Sequence, residues 1–299
     1  MIRHGSTPGR VNMSFKRFPV LALILGACSP PSLLDRLNSI VPGDGDAQRV
    51  ATGVVYGSAP RQALDIWAPK SRAKALRPVV VFFYGGAWAK GARGEYGFAG
   101  RAYANKGFVA VVPDYRLVPT VRFPAYIEDG ALAVRWVRDH AAQFGGDPRR
   151  ITLAGHSAGA YVGAMLALDR HYLLDVGVDP ATIRAAALLA GPYDFYPFDD
   201  PRAIDAMGNW PRPAETQPIH YARADAPPMW LAAGTADDVV KPRNSRALAA
   251  RLKALGAPTT LREYPGKGHV DLVMGLSKPF RKGVPTLDES AAFLIDHSR

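Results

Sequence analysis

The chain has 299 residues, 48% of them hydrophobic, enough for one large α/β domain with a sizeable core. Its 37 basic residues against 26 acidic ones give a formal net charge of +11. No basic cluster interleaved with aromatics is present, which argues against nucleic acid as the partner, and the single cysteine excludes an intrachain disulfide.

Residues 1–27 carry Arg3, Arg10, Lys16 and Arg17 and no acid, so 33 bases against 26 acids remain beyond them. That residual suits an acidic surface such as a lipid headgroup layer. Lys16-Arg17 forms a positive n-region, and Phe18 to Leu25 is an apolar stretch too short to span a membrane as a helix. Leu25-Gly26-Ala27-Cys28 follows and resembles the bacterial lipobox, which implies lipidation of Cys28 and its exposure as the mature N-terminus. Met13 offers an alternative start with a more usual n-region. The expectation is a lipoprotein signal peptide over 1–27 and a membrane anchor at Cys28. Ser29, in place of an aspartate, favours the outer membrane facing the periplasm by analogy. A plain secretory signal releasing the chain to the periplasm is the alternative.

Residues 28–48 read as a tether. Leu33, Leu34, Leu37, Ile40 and Val41 recur at helical spacing, and Pro42-Gly43-Asp44-Gly45-Asp46 ends that short amphipathic helix. The folded domain is expected over 49–299. Val50 to Tyr56 and Ala63 to Trp67 are predicted strands around Gly57-Ser58-Ala59-Pro60. Val79-Val80-Val81-Phe82-Phe83 and Gly107 to Val112 are continuous apolar runs, as in strands covered on both faces. Pro124 to Phe144 has helical spacing and stops at Gly145-Gly146-Asp147-Pro148. Arg150 to Ala154 is a strand, and Tyr161 to Leu168 an apolar helix. Further strands are predicted at Ala185 to Ala190, Met229 to Ala233 and Thr259 to Tyr264, with helices at Arg243 to Leu255 and Leu287 to Ser298. This alternation predicts a mostly parallel sheet of about eight strands with helices on both faces. Gly191 to Tyr221 breaks the rhythm with Tyr193, Phe195, Tyr196, Phe198 and Trp210; it either walls a pocket or folds on its own side chains.

The chemistry centres on Leu153-Ala154-Gly155-His156-Ser157-Ala158-Gly159, a strand end, a tight turn and a helix start with Ser157 at the apex. Glycines two residues to either side allow strand and helix to approach closely around a strained serine. This segment resembles the nucleophile elbow of the α/β-hydrolases. Leu64-Asp65-Ile66-Trp67-Ala68-Pro69, Pro113-Asp114-Tyr115-Arg116-Leu117, Phe123-Pro124-Ala125 with Glu128-Asp129, and Phe144-Gly145-Gly146-Asp147-Pro148 are similar to the hormone-sensitive-lipase and bacterial carboxylesterase branch. The resemblance covers most of residues 60–275. It implies an α/β-hydrolase fold and a Ser, Asp, His order along the chain.

On that order His269, in Gly266-Lys267-Gly268-His269 after the last strand, is the expected base, and His156 is expected to be structural. Gly234-Thr235-Ala236-Asp237-Asp238-Val239-Val240 offers two aspartates, and the family pattern Gly-x-x-Asp-x-x-Val selects Asp237. Tyr84-Gly85-Gly86-Ala87-Trp88 stands where related esterases carry His-Gly-Gly-Gly. The N–H groups of Gly86 and Ala87 are expected to join that of Ala158 as oxyanion donors. Tyr84 replaces the family histidine, which helps hold the loop; it is expected to do the same through its hydroxyl or, with Trp88, to stand at the substrate pocket, Trp88 as a lining of the entrance or as a packed aromatic. Asp114, Tyr115, Arg116 and Asp129 are expected to hold the loops near the site. The family's two-helix N-terminal cap finds no room between Cys28 and Arg49. No metal-binding pair, dinucleotide fingerprint or phosphate loop is read, so no cofactor is expected. The implied activity is a serine carboxylesterase on short or medium acyl esters. The alternatives are an arylformamidase and a non-catalytic binding protein on the same fold.

Overall fold

The structure is a computed structural model and describes residues 43–299. The signal segment 1–27, Cys28 and the helical pattern from Leu33 to Val41 lie outside the described residues. Among the described residues, eight strands form one sheet: β1 (Ala47–Val55), β2 (Ala63–Pro69), β3 (Arg77–Phe83), β4 (Val109–Pro113), β5 (Gly146–His156), β6 (Ile183–Leu189), β7 (Met229–Gly234) and β8 (Thr259–Tyr264). Their spatial order is β1-β2-β4-β3-β5-β6-β7-β8. Only β1–β2 and β2–β4 pair antiparallel. The remaining five pairs are parallel. Every residue of Val79–Phe83 and Val109–Pro113 is buried. Those continuous apolar runs need cover on both faces.

The helices supply that cover: α1 (Gly97–Asn105), α2 (Ala125–His140), α3 (Ala158–Leu168), α4 (His171–Asp175), α5 (Pro201–Met207), α6 (Arg243–Ala254), α7 (His269–Met274) and α8 (Thr286–His297). All eleven residues of α3 are buried. A helix apolar all round belongs in the middle of a core. It runs so close to β3 that a Cβ on Gly159 would stand 2.1 Å from the carbonyl oxygen of Phe83. A Cβ on Gly155 would meet the Gly159 carbonyl oxygen at 2.6 Å.

Helix α1 is not predicted from the sequence, because Gly97 and Gly100 depress its helix propensity. Packing overrides the propensity. A Cβ at position 100 would stand 2.4 Å from Trp67 Cδ1, so glycine lets α1 lie on β2. Residues 191–221, expected to be irregular, contain α5 and two 3-10 turns, Pro213–Thr216 and Pro218–Tyr221.

Candidate active site

Ser157 follows the last residue of β5 and precedes the first residue of α3. Its backbone has φ 55° and ψ −123°. That left-handed φ is costly for a non-glycine residue, of order 1–3 kcal/mol. Neighbours hold it there. The Ser157 N–H donates to the Leu189 carbonyl at 2.9 Å, and the Ser157 carbonyl accepts from the N–H of Tyr161 at 3.0 Å.

His269 is the first residue of α7, where the sequence suggested a loop. Its Nε2 lies 2.9 Å from Ser157 Oγ and its Nδ1 2.8 Å from Asp237 Oδ2. The Asp237 side chain is fully buried and that of His269 is 10% exposed. An ionised carboxylate only accepts, so Nδ1 carries the proton. Nε2 is then bare and accepts from the serine hydroxyl. The other Asp237 oxygen accepts from the N–H groups of Val239 and Val240, at 3.0 and 2.9 Å. Asp238 is exposed. The structure therefore brings Ser157, His269 and Asp237 together and leaves Asp238 out. The loops bearing Asp237 and His269 interlock: the Ala236 N–H donates to the Lys267 carbonyl at 3.0 Å, and a Cβ on Gly234 would meet that oxygen at 2.2 Å.

The segment after β3 passes beside the serine. A Cβ on Gly85 would lie 3.1 Å from Ser157 Cβ. Gly86, Ala87 and Trp88 all have positive φ, at 132°, 51° and 58°. Ala158 opens α3, so the helix offers its N–H no internal acceptor.

Tyr84 does not line a pocket, which corrects that expectation for it; its hydroxyl serves the loop instead. It is fully buried and stacked between Tyr96 and Tyr115, with ring centroids 5.4 and 4.7 Å away. Its hydroxyl donates to Asp114 Oδ1 at 2.8 Å and accepts from Arg61 Nη2 at 2.7 Å. The same Nη2 reaches the Gly91 carbonyl at 2.7 Å, and the Arg93 N–H donates to Asp114 Oδ1 at 2.7 Å. Burial, then the Asp114 charge, pushes the Tyr84 hydroxyl far above its ordinary pKa, so it stays a donor. Tyr84, Arg61 and Asp114 thus tie down both ends of loop 84–93.

Trp88 is 5% exposed and belongs to a packed wall, not to an exposed rim. It lies 5.3 Å from Tyr161, 6.1 Å from Tyr126 and 6.2 Å from Phe195 between ring centroids. Phe195 brings the aromatic excursion 191–221 onto this wall. The excursion is fastened both within itself and from outside. Gln217 Oε1 accepts from the N–H of Phe195 at 2.7 Å, and the Thr216 carbonyl accepts from the hydroxyl of Tyr161, outside the excursion, at 2.8 Å. Asp129 is fully buried and accepts from Arg116 Nη2 and Gln62 Nε2, at 2.8 and 2.6 Å. Among the described residues, no group of three His, Cys, Asp or Glu side chains is placed to hold a metal ion.

The sequence suggests a structural role for His156, and the structure shows what it touches. Its Nε2 lies 3.0 Å from the main-chain oxygen of His269. Burial, and then the proximity of His269, depresses its pKa to about 3. Only the tertiary contact with a residue 113 positions away shows this link.

A parallel-rich sheet, a strained serine between β5 and α3, and an imidazole bridging that serine to a buried carboxylate define an α/β-hydrolase fold with a Ser–His–Asp site. The BD-FAE family model matches residues 64–252, and the chain belongs to that family. It is 33% identical over 264 residues to the esterase LipC of Mycobacterium tuberculosis, covering 81% of this chain and 64% of that protein. It is 31% identical over 271 residues to a probable isoprenylcysteine alpha-carbonyl methylesterase, ICMEL1, of Oryza sativa subsp. japonica, covering 83% and 63%. The chain thus spans a little under two thirds of the length of these curated relatives. Among solved structures, apo Thermogutta terrifontis esterase 2 superimposes with TM-score 0.69 at 26% identity, covering 85% of this chain and 96% of that one. Esterase B from Lactobacillus rhamnosis shares the fold at TM-score 0.76 and 21% identity, covering 89% and 92%.

Proposed function

We propose that the protein is a serine carboxylic-ester hydrolase acting on short or medium acyl esters. The observation that carries this is the double bridge made by His269, 2.9 Å to Ser157 Oγ and 2.8 Å to Asp237 Oδ2, in the tautomer a base requires. The similarity to proteins named as esterases supports it. Ser157 Oγ attacks the ester carbonyl while His269 Nε2 takes the hydroxyl proton, and Asp237 stabilises the resulting imidazolium. The carbonyl oxygen becomes an oxyanion facing the N–H groups of Gly86, Ala87 and Ala158; one such donor is worth about 3–4 kcal/mol in the transition state. His269 returns the proton to the leaving alcohol as the C–O bond breaks, leaving an acyl-serine. Water, deprotonated by the same imidazole, then releases the acid.

The test is turnover of p-nitrophenyl acetate and butyrate beside a matched formamide, with a fluorophosphonate probe for Ser157. Ester turnover ahead of formamide turnover is expected. Ser157→Ala is expected to lower it by about 10⁴-fold or more and to abolish labelling. Retained turnover in that variant overturns the mechanism, and faster formamide turnover overturns the substrate class.

The same proposal places the chain on a membrane through a lipid on Cys28. The positive n-region, the apolar stretch to Leu25 and the Leu25-Gly26-Ala27-Cys28 sequence support it. Among the described residues no helix is long and apolar enough to cross a membrane.

A further inference from the structure

We propose that His156 is a positioning residue that sets the main chain of the base against the sheet, and this rests on the Ser157–His269–Asp237 reading above. His156 is the last residue of β5 and is 4% exposed. Its strand is held on both sides: Phe83 pairs with Gly155 next to it, and Leu189 pairs with His156 itself. The imidazole therefore projects from a rigid part of the fold. Its Nε2 lies 3.0 Å from the carbonyl oxygen of His269, and the two rings lie 4.7 Å apart at 43°.

The chemistry of the partners fixes the proton. A carbonyl only accepts, so His156 Nε2 donates and Nδ1 is bare. Nδ1 is buried and has no hydrogen-bond partner. It faces the segment after β3: a Cβ on Gly85 would stand 3.0 Å from it. One ring thus sits between the loop that carries the base and the loop that carries the oxyanion donors, holding the first by a hydrogen bond and the second by contact. Other contacts fasten the base through its ring and through the residue before it. Asp237 accepts from its ring, and Asp271 Oδ2 accepts from the Gly268 N–H at 2.8 Å, closing the start of α7. A strained serine has one productive approach, so a shift of the base by about 1 Å is expected to slow the reaction up to about 100-fold.

The test compares His156→Leu with His156→Gln, whose amide nitrogen reaches as far as Nε2 and keeps a donor. His156→Leu is expected to lower kcat for p-nitrophenyl butyrate about 10- to 100-fold with KM little changed, and to slow fluorophosphonate labelling of Ser157 by the same factor. His156→Gln is expected to restore both to within about threefold of wild type. Circular dichroism and thermal melting establish that each variant is folded. Equal losses in the two variants, or a leucine variant as fast as wild type, overturn the proposal. A wild-type protein that neither hydrolyses the ester nor labels at Ser157 removes the function beneath it instead. Nitrogen-15 NMR of wild-type His156 decides the matter should the leucine variant not fold. The neutral Nε2–H form is expected at pH 8 and still at pH 5. A proton on Nδ1 at either pH overturns the arrangement.

Discussion

At the scale of single residues, the two adjacent aspartates are the sharpest contrast. Asp237 is buried, bonded to His269 and fed by two backbone N–H groups, whereas Asp238 is exposed. Asp237→Asn removes the acceptor that selects the His269 tautomer. It is expected to lower kcat by about 10⁴-fold, while Asp238→Asn stays within about threefold of wild type; steady-state kinetics on one ester reads both. The Gly-x-x-Asp-x-x-Val spacing pointed to Asp237, and the N–H groups of Val239 and Val240 give that spacing a physical basis. His156 carries a pH signature. Its folded pKa of about 3 lies below the unfolded value of 6.5, so from pH 6.5 downward the unfolded chain binds a proton that the folded one refuses. Stability from this group is fully present above pH 6.5 and falls by about 1.4 kcal/mol per pH unit toward pH 3. His269 and Asp237 are the titratable neighbours that act on it. Denaturant titrations from pH 7 to pH 4.5 are expected to show that slope, reduced by one proton in His156→Gln.

At the scale of elements, the serine turn and loop 84–93 are held by opposite means. The turn relies on missing atoms. Any side chain at Gly159 would drive into the carbonyl oxygens of Phe83 and Tyr84, 2.1 and 2.4 Å from where its Cβ would stand. Backbone atoms of a central strand cannot yield, so Gly159→Ala is expected to be recovered unfolded or destabilised by several kcal/mol in a urea titration. Loop 84–93 relies on bonds instead, through Tyr84, Arg61, Asp114 and Arg93. Tyr84, in the place of the family histidine, is expected to hold the loop through its hydroxyl or to face the pocket; its ring is covered by Tyr96 and Tyr115, and its hydroxyl reaches Arg61 and Asp114, partners that local sequence does not show. Helix α1 escaped sequence reading for a related reason. Its glycines serve the contact with Trp67, and propensity sees only their local penalty.

At the scale of the whole molecule, the sheet places the site where the strand ends of β3, β5, β7 and β8 converge. Residues 157, 237 and 269 reach one point because β5, β7 and β8 run parallel and each hands its chain to a loop at the same edge. The excess of positive charge fits the proposed attachment of the chain to a lipid surface. In the proposed arrangement, the native protein partitions into the detergent phase of a Triton X-114 extract and Cys28→Ser into the aqueous phase. Partition of both forms into the aqueous phase would end the anchor proposal.

The sequence by itself determined the layered α/β architecture, the order of eight strands along the chain and the serine at the elbow. Those rest on local pattern: apolar runs too long to face water, helical spacing between them, and glycines at fixed offsets from Ser157. Tertiary structure alone decided which residues Tyr84 reaches, that Trp88 is packed against Phe195, and that His156 meets the main chain of His269. Each of these depends on where two segments far apart in the chain meet, and a distance across the fold has no period in the sequence that spells it.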